Sequence, residues 1–397
     1  MSLVQTAIDA EGRTVRYRDR KRWAWALSVV WPLLPLTGLA AHHFSGLEIG
    51  LALPLLISYG LMPLLDALIG EDENNPPEAV VPQLDADRYY RWLTWATVPL
   101  HFVALIACAG WAGTQDLSWW ALGLLAYVAG ADAGLGLNTA HELGHKHNRL
   151  EQMLARLALA VPAYGHFTVE HGRGHHRWVA TPEDHASSRM GESIYRFALR
   201  ELPGGIRRAW ALESERLVAQ GRSPWSWHNT MLQSYAVTLL LQGGLVAAFG
   251  WVMLPFLAIH NLVAWWQLTS ANYVEHYGLL RRKLPSGAYE APQPHHSWNT
   301  NHLVTNLATF HLQRHSDHHA YPSRRYQCLR HFPDLPQLPS GYFGMFPLAY
   351  VPPLWFKVMD PRLLALPQVQ GDLERVNVCP RRRAALQARY GTQATMA

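Results

Sequence analysis

The sequence predicts an all-α integral membrane protein, with six transmembrane helices and a cytoplasmic helical cap that carries a histidine-rich site. Three observations predict it. Six apolar stretches, at about 23–42, 47–69, 92–113, 117–138, 232–250 and 251–271, approach the roughly 20 residues needed to cross a bilayer. The 397-residue chain is 49% hydrophobic and only 16% charged, whereas soluble proteins carry roughly 25% charge. Lys and Arg are absent from 23–87, 92–145 and 223–280, so the positive charge falls on one side of the six spans. The positive-inside rule makes that side cytoplasmic. The mean hydropathy of −0.08 averages over unlike regions, and the 17 tryptophans suit membrane interfaces.

In chain order, residues 1–22 form a basic cytoplasmic segment with Arg13, Arg16, Arg18, Arg20, Lys21 and Arg22 before the first span. Residues 23–138 hold spans one to four, joined by short turns near 43–46 and 113–117, with Arg88 and Arg91 before the third. Residues 139–231 are cytoplasmic, marked by Lys146, Arg149 and Arg222, and 232–271 hold spans five and six. Residues 272–397 return to the cytoplasm at Arg281, Arg282 and Lys283. Segment 193–220 reads as two amphipathic helices broken at Pro203-Gly204-Gly205, lying on the membrane or packed on the cytoplasmic half. "EDENNPP" (71–77) and "PSGAYEAPQP" (285–294) read as loops. "PRRRAALQARYGTQATMA" reads as a short basic helix and a frayed tail.

No internal repeat is visible, and no cleavable signal peptide is expected, because the first apolar run is long enough to span. Cys108, Cys328 and Cys379 are isolated, with no C-x-x-C pair, and support neither a zinc knuckle, an iron–sulfur cluster nor a disulfide framework. Electrons, if handled, come from another protein. Asp66 and Asp132 fall inside spans two and four near their cytoplasmic ends. Acids at that depth face the bundle interior, either supporting a site or making a structural hydrogen bond.

Histidines carry the chemistry. "HELGHKH" places His141 and His145 four apart, one helical turn on one face. "EHGRGHHRW" adds His171, His175 and His176, and "RHSDHH" adds His315, His318 and His319. "NYVEHYG" adds His276 just after span six. Each cluster is expected to present its imidazoles in one direction. Imidazole suits iron, zinc, copper and nickel, and eight or nine candidates on one membrane face point to two metals. Glu142, Glu170, Glu275 and Asp317 stand beside the clusters, where a carboxylate accepts the second ring N–H of a ligand. His147 points away by about 200°, and His166 and His185 are weaker candidates. His311 stands one turn before His315 and is a minor suspect. His42, His43, His101, His260 and His331 read as structural or interfacial. "HExxH" is also a zinc-protease signature.

Together, HxxxH, HxxxHH and HxxHH are similar to the motifs of membrane diiron desaturases and hydroxylases. The chain more closely resembles the integral-membrane alkane 1-monooxygenases. The resemblance rests on "NTAHELGHK" (138–146), "EHGRGHHRWVATPEDHASSR" (170–189), "NYVEHYGL" (272–279), "LQRHSDHHAYPSRRYQ" (312–327) and "GEDENNPP" after span two. It implies a diiron site with two iron ions held by His141, His145, His171, His175, His176, His276, His315, His318 and His319. Glu142, Glu170, Glu275, Asp317, Asn272, Asp132 and Asp66 are candidates for the surrounding shell. The implied reaction hydroxylates the terminal carbon of medium-chain n-alkanes with O2 and electrons from rubredoxin, itself reduced by a rubredoxin reductase. The implied location is the bacterial inner membrane, with the site on the cytoplasmic side, and no nucleic acid is involved. Arg173, Arg177, Arg281, Arg282, Lys283, Arg324 and Arg325 are candidate docking cations, or ordinary positive-inside anchors. Two departures stand out: Gly172 where the pattern has Asn, and His185 where it has Pro. The rival readings are an acyl desaturase or lipid hydroxylase, an intramembrane zinc protease on His141-Glu142-His145, and a metal transporter.

Overall fold

The structure, a computed structural model, describes residues 4–391. Four helices are long and apolar enough to cross a membrane: Glu48–Ile69, Arg88–Thr114, Trp119–Gly144 and Thr230–Phe249. Side-chain oxygens start three of them. Asp87 accepts from Tyr89 N–H, Ser118 from Ala121 N–H, and Asn229 from Met231 and Leu232 N–H. These caps satisfy donors that have no partner inside the helix.

The first and sixth expected spans differ from these four. Residues 26–45 are not one helix, because Pro32 and Pro35 divide them into Ala26–Val30, a 3-10 turn Trp31–Leu33 and Leu34–Ser45. The sixth is carried by Met253–His276, which is long enough but interrupted by polar His260, Asn261 and Gln267. The N-terminal basic segment includes a small antiparallel hairpin, Gln5–Ile8 with Thr14–Tyr17, so the chain is helical with this one two-stranded exception among the described residues. The proposed break at Pro203-Gly204-Gly205 is absent, and Ile194–Ala219 runs as one helix through it. The glycines serve packing instead. A Cβ on Gly204 would lie 2.5 Å from the His185 ring, and one on Gly205 would touch Glu170. This helix buries Ile194, Phe197, Glu201 and Ala209 while exposing Tyr195, Leu199, Ile206 and Val218. Segments 71–77 and 285–293 are loops, and the terminal basic helix is Arg383–Tyr390. The frayed tail expected beyond it, 392–397, lies outside the described residues.

One helix pair positions the site. Trp119–Gly144 packs against Met253–His276 through Gly130 and Gly134, one turn apart. A Cβ would stand 2.5 Å from the His260 carbonyl oxygen at the first and 2.5 Å from Gln267 Cβ at the second. Small residues at this spacing let two helices approach closely. The pair ends together, so His141 and His145 at the end of one helix and His276 at the end of the other all reach the same histidine cluster.

Candidate metal centre

All nine histidines converge, but not cluster by cluster. His141, His145, His171, His176 and His318 form one set, and His175, His276, His315 and His319 form a second. Within each set, one ring nitrogen per residue lies within 4.8 Å of the others. The second and third sequence clusters are therefore divided between the sets. Local helix geometry explains the first division. His171–His175 forms a π-helical turn, which adds a residue to the turn and brings His176, rather than His175, over His171. The His171 and His176 Nε2 atoms are 3.0 Å apart. In helix His315–Ala320, His315 and His319 pair at 2.9 Å while His318 turns to His141, also at 2.9 Å.

This donor set fits metal ions. Two nitrogens bound side by side to one ion with bonds of about 2.1 Å lie about 3.0–3.4 Å apart. Observed Nε2 pairs fall close to that range, including His318 to His176 at 3.3 Å and His315 to His276 at 3.3 Å. Burial pushes His145, His171, His176, His315, His318 and His319 well below the usual imidazole range. They are held neutral, the form that ligates. His145 and His175 also have a buried Nε2 without any protein partner. Such groups are costly unless something completes them.

The surrounding acids depart from expectation. Glu142 accepts from Lys146 at 3.1 Å, Glu170 from Arg208 Nε at 3.0 Å, and Asp317 from Arg330 at 2.8 Å. None of these three holds an imidazole, because a helical neighbour one residue away points about 100° aside. Glu275 does meet a histidine: its carboxylate lies 3.3 Å from His315 Nε2 and accepts from Tyr342 at 2.8 Å. That contact is on the converging nitrogen, not the second one. The acid that holds a second nitrogen is Asp184, which the sequence reading missed. Its Oδ2 accepts from His175 Nδ1 at 2.8 Å, while Arg208 and Ser187 also bind it. Burial opposes ionisation of Asp184, but His175 and Arg208 outweigh it and hold the carboxyl well below the usual range. Nothing in the spacing marks this residue, nine positions after His175 and across a turn.

Asp66 is a structural acid. It accepts from Val304 and Thr305 N–H at 3.1 and 3.0 Å, fixing the start of helix Leu303–Ala308. His311 is structural as well, with its Nδ1 on the Tyr326 carbonyl at 2.9 Å and its ring edge-on to Trp25. His147 is exposed. Three candidate docking cations are buried and committed. Arg281 binds the Glu290 and Arg177 carbonyls, Arg324 binds Glu78 and Asp317, and Arg325 binds Glu151.

One face of the site opens onto a cavity of about 890 Å³. His141, His171, His315 and Glu275 line the end at the site, and Trp31, Leu34, Pro35, Pro54 and Leu55 line another part among the spans. Asp132, Asn138, Gln267 and Asn272 also line it, although the exposed surface of the wall is mostly apolar. The buried His101 ring lies 4.0 Å from Asp132. An apolar chamber ending at a cluster of metal-type donors selects a substrate by shape rather than by hydrogen bonds.

Comparison with known proteins agrees. Residues 117–349 match the fatty acid desaturase family. The chain is 52% identical over 376 residues to an alkane 1-monooxygenase of Ectopseudomonas oleovorans, covering 95% of this chain and 93% of that one. It is 53% identical over 362 residues to one from Pseudomonas putida, covering 91% and 90%. It is 52% identical over 377 residues to alkane 1-monooxygenase 1 of Alcanivorax borkumensis, covering 95% and 93%. Two paired histidine sets closing an apolar cavity, in a sequence this similar from end to end, leave one assignment: the chain belongs to the alkane 1-monooxygenases of the fatty acid desaturase family.

Proposed function

We propose that this enzyme hydroxylates the terminal carbon of medium-chain n-alkanes, using O2 and two iron ions held by the nine histidines. The observation that carries the reading is the meeting of two histidine sets with the apolar cavity at His141, His171 and His315. Bound there, two irons would supply the redox chemistry that activates O2. The chain's residues do the rest. The cavity wall excludes water and holds the alkane with its methyl group toward the histidines, which is the positioning such an unreactive bond requires. Asp184 orients His175, and Glu275 brings a carboxyl group to a ligand set made otherwise of imidazoles.

The organisation that accompanies this function is six spans, with Ala26–Ser45 as a proline-broken first element and Met253–His276 as the sixth. The histidines then sit at the cytoplasmic face of the bacterial inner membrane, where the basic segments lie. Electrons are taken from rubredoxin. Support for the docking place is a cleft lined by Arg282, Lys283, Tyr289, His295 and His296, of about 1420 Å³. Arg282 is highly exposed, and the His296 carbonyl lies 3.4 Å from His276 Nδ1. Reversing Arg282 and Lys283 together is expected to raise the KM for rubredoxin. An unchanged KM removes this surface from the reading.

The deciding experiment is metal and product analysis on the purified membrane enzyme with octane and with an acyl lipid. The reading requires about two irons per chain and 1-octanol. One zinc per chain, or desaturated lipid without octanol, overturns it.

A further inference from the structure

Behind the substrate cavity lies a second chamber, of about 290 Å³, with a different character. Its wall includes Tyr164, His166, Glu170, His185, Glu201 and Asn272. Phe167, Leu268 and Asn272 line both spaces, so a single layer of side chains separates them. The polar groups on this wall offer a bound water hydrogen-bond partners, which the largely apolar cavity offers far less.

Glu201 stands at the partition. It is 5% exposed. One carboxylate oxygen accepts from Asn272 Nδ2 at 2.8 Å and the other from Thr269 Oγ1 at 2.6 Å. No Lys or Arg bonds to it. At the chamber's outer side His185 is half-buried, its ring seated on Gly204. His166 is tied to Tyr235 at 2.8 Å. Half-buried His185 and buried Glu201 thus line one small chamber, and Asn272 joins it to the wall of the substrate cavity.

We infer that this chamber is the proton inlet of the hydroxylase, with Glu201 as the relay group that passes protons from bulk water, past Asn272, to the metal end of the cavity. The inference rests on the hydroxylase reading above. That reaction balances as alkane plus O2 plus two electrons plus two protons, giving alcohol plus water. Rubredoxin supplies the electrons, and the largely apolar cavity supplies no protons. A proton taken up on the chamber side and released on the cavity side returns Glu201 to its starting form.

The environment suits a relay near neutral pH. Burial pushes the Glu201 carboxyl up to about 7. Glu170 adds to the shift, and Thr269, Asn272 and Arg200 oppose it. The other titratable groups facing the chamber are Tyr164, His166 and His185; burial lowers both histidines, His166 to about 4.

The test compares Glu201→Gln and Thr269→Val with the parent enzyme. First, difference infrared spectra of the parent are expected to show a protonated carboxyl band that titrates near neutrality and is missing in E201Q. This arm reads the side chain without turnover. Second, E201Q with its iron content intact is expected to make octanol at least about tenfold more slowly, in the range of lost acid–base assistance. Its solvent isotope effect should rise. Third, T269V removes a hydrogen bond to the ionised form, which raises the carboxyl pKa. The alkaline limb of its rate profile should move to higher pH. E201Q turning over within twofold of the parent overturns the inference, as does an unshifted T269V profile or the absence of the infrared band. If the parent makes no octanol, the hydroxylase reading fails instead, and the infrared titration still reports on Glu201.

Discussion

The contact between Asp184 and His175 yields the sharpest test of how the site is held. Asp184→Asn keeps the size of the side chain but removes its charge. Its Oδ2 now lies 2.8 Å from His175 Nδ1 and Oδ1 2.7 Å from Arg208. A carboxylate behind a ligating histidine fixes the ring and raises its basicity, and its loss typically weakens metal binding about 10- to 100-fold. At about 1.4 kcal/mol per tenfold, that is about 1.4–2.8 kcal/mol. Arg208 keeps Glu170 at 3.0 Å, so the variant does not leave a bare buried cation. Its folding loss is expected at about 1.5–3 kcal/mol, the range for a lost hydrogen bond to a charged group. The assay is iron retention against a graded chelator series, with thermal unfolding measured in parallel. Glu213→Gln is the control. Glu213 is equally buried, accepts from Arg173 at 2.6 Å and Arg216 at 2.7 Å, and touches no histidine. It should lose stability and keep parental iron affinity. If D184N and E213Q lose stability alike and both retain iron like the parent, Asp184 is a packing residue and the orienting role is refuted.

Three further outcomes follow from the geometry. His315→Ala should lower iron per chain, whereas His311→Gln should keep the iron and lose about 1 kcal/mol of stability, because His311 bonds only the Tyr326 carbonyl; iron loss in H311Q would return it to the ligand set. Gly134→Ala drives a methyl into Gln267 Cβ, which stands 2.5 Å away, and overpacking of this kind costs about 1–3 kcal/mol; a neutral effect on thermal unfolding would show that the helix pair tolerates separation. Despite the opposing effect of burial, bonds from Arg216, Thr230 and Arg173 hold the Glu213 carboxyl down from 4.5 to about 2. Its stabilisation is complete above the ordinary carboxylate value and fades as pH falls toward 2, so the stability profile of E213Q should converge on that of the parent in acid, and parallel profiles would contradict the assignment.

Much of the site was legible because its chemistry is concentrated in residue type. Nine histidines in four short stretches announce a metal centre wherever the chain folds, and long uncharged runs announce the membrane. Their grouping was not legible. A spacing of four suggests one shared face, yet His171 pairs with His176 because a π turn intervenes, and no local propensity reveals that turn. The bonding of the acids beside the histidines was not legible for a related reason. Sequence neighbours on a helix diverge by about 100°, so Glu142, Glu170 and Asp317 found cations instead.

By itself, then, the sequence determined the solvent the chain lives in, its helical character and the donors available to metal, since hydropathy, charge placement and ligand chemistry are properties of the residues themselves. Only the tertiary structure decided which histidines share a set, which acid holds one of them, and where the apolar cavity and the Glu201 chamber lie. Those depend on contacts between residues far apart in the chain. His276 meets His315 across 39 positions, and Glu201 meets Asn272 across 71. Asp66 shows the same limit. An acid inside a span reads as part of a site until its partner is known, and the partner, the start of helix Leu303–Ala308, is more than 230 residues away.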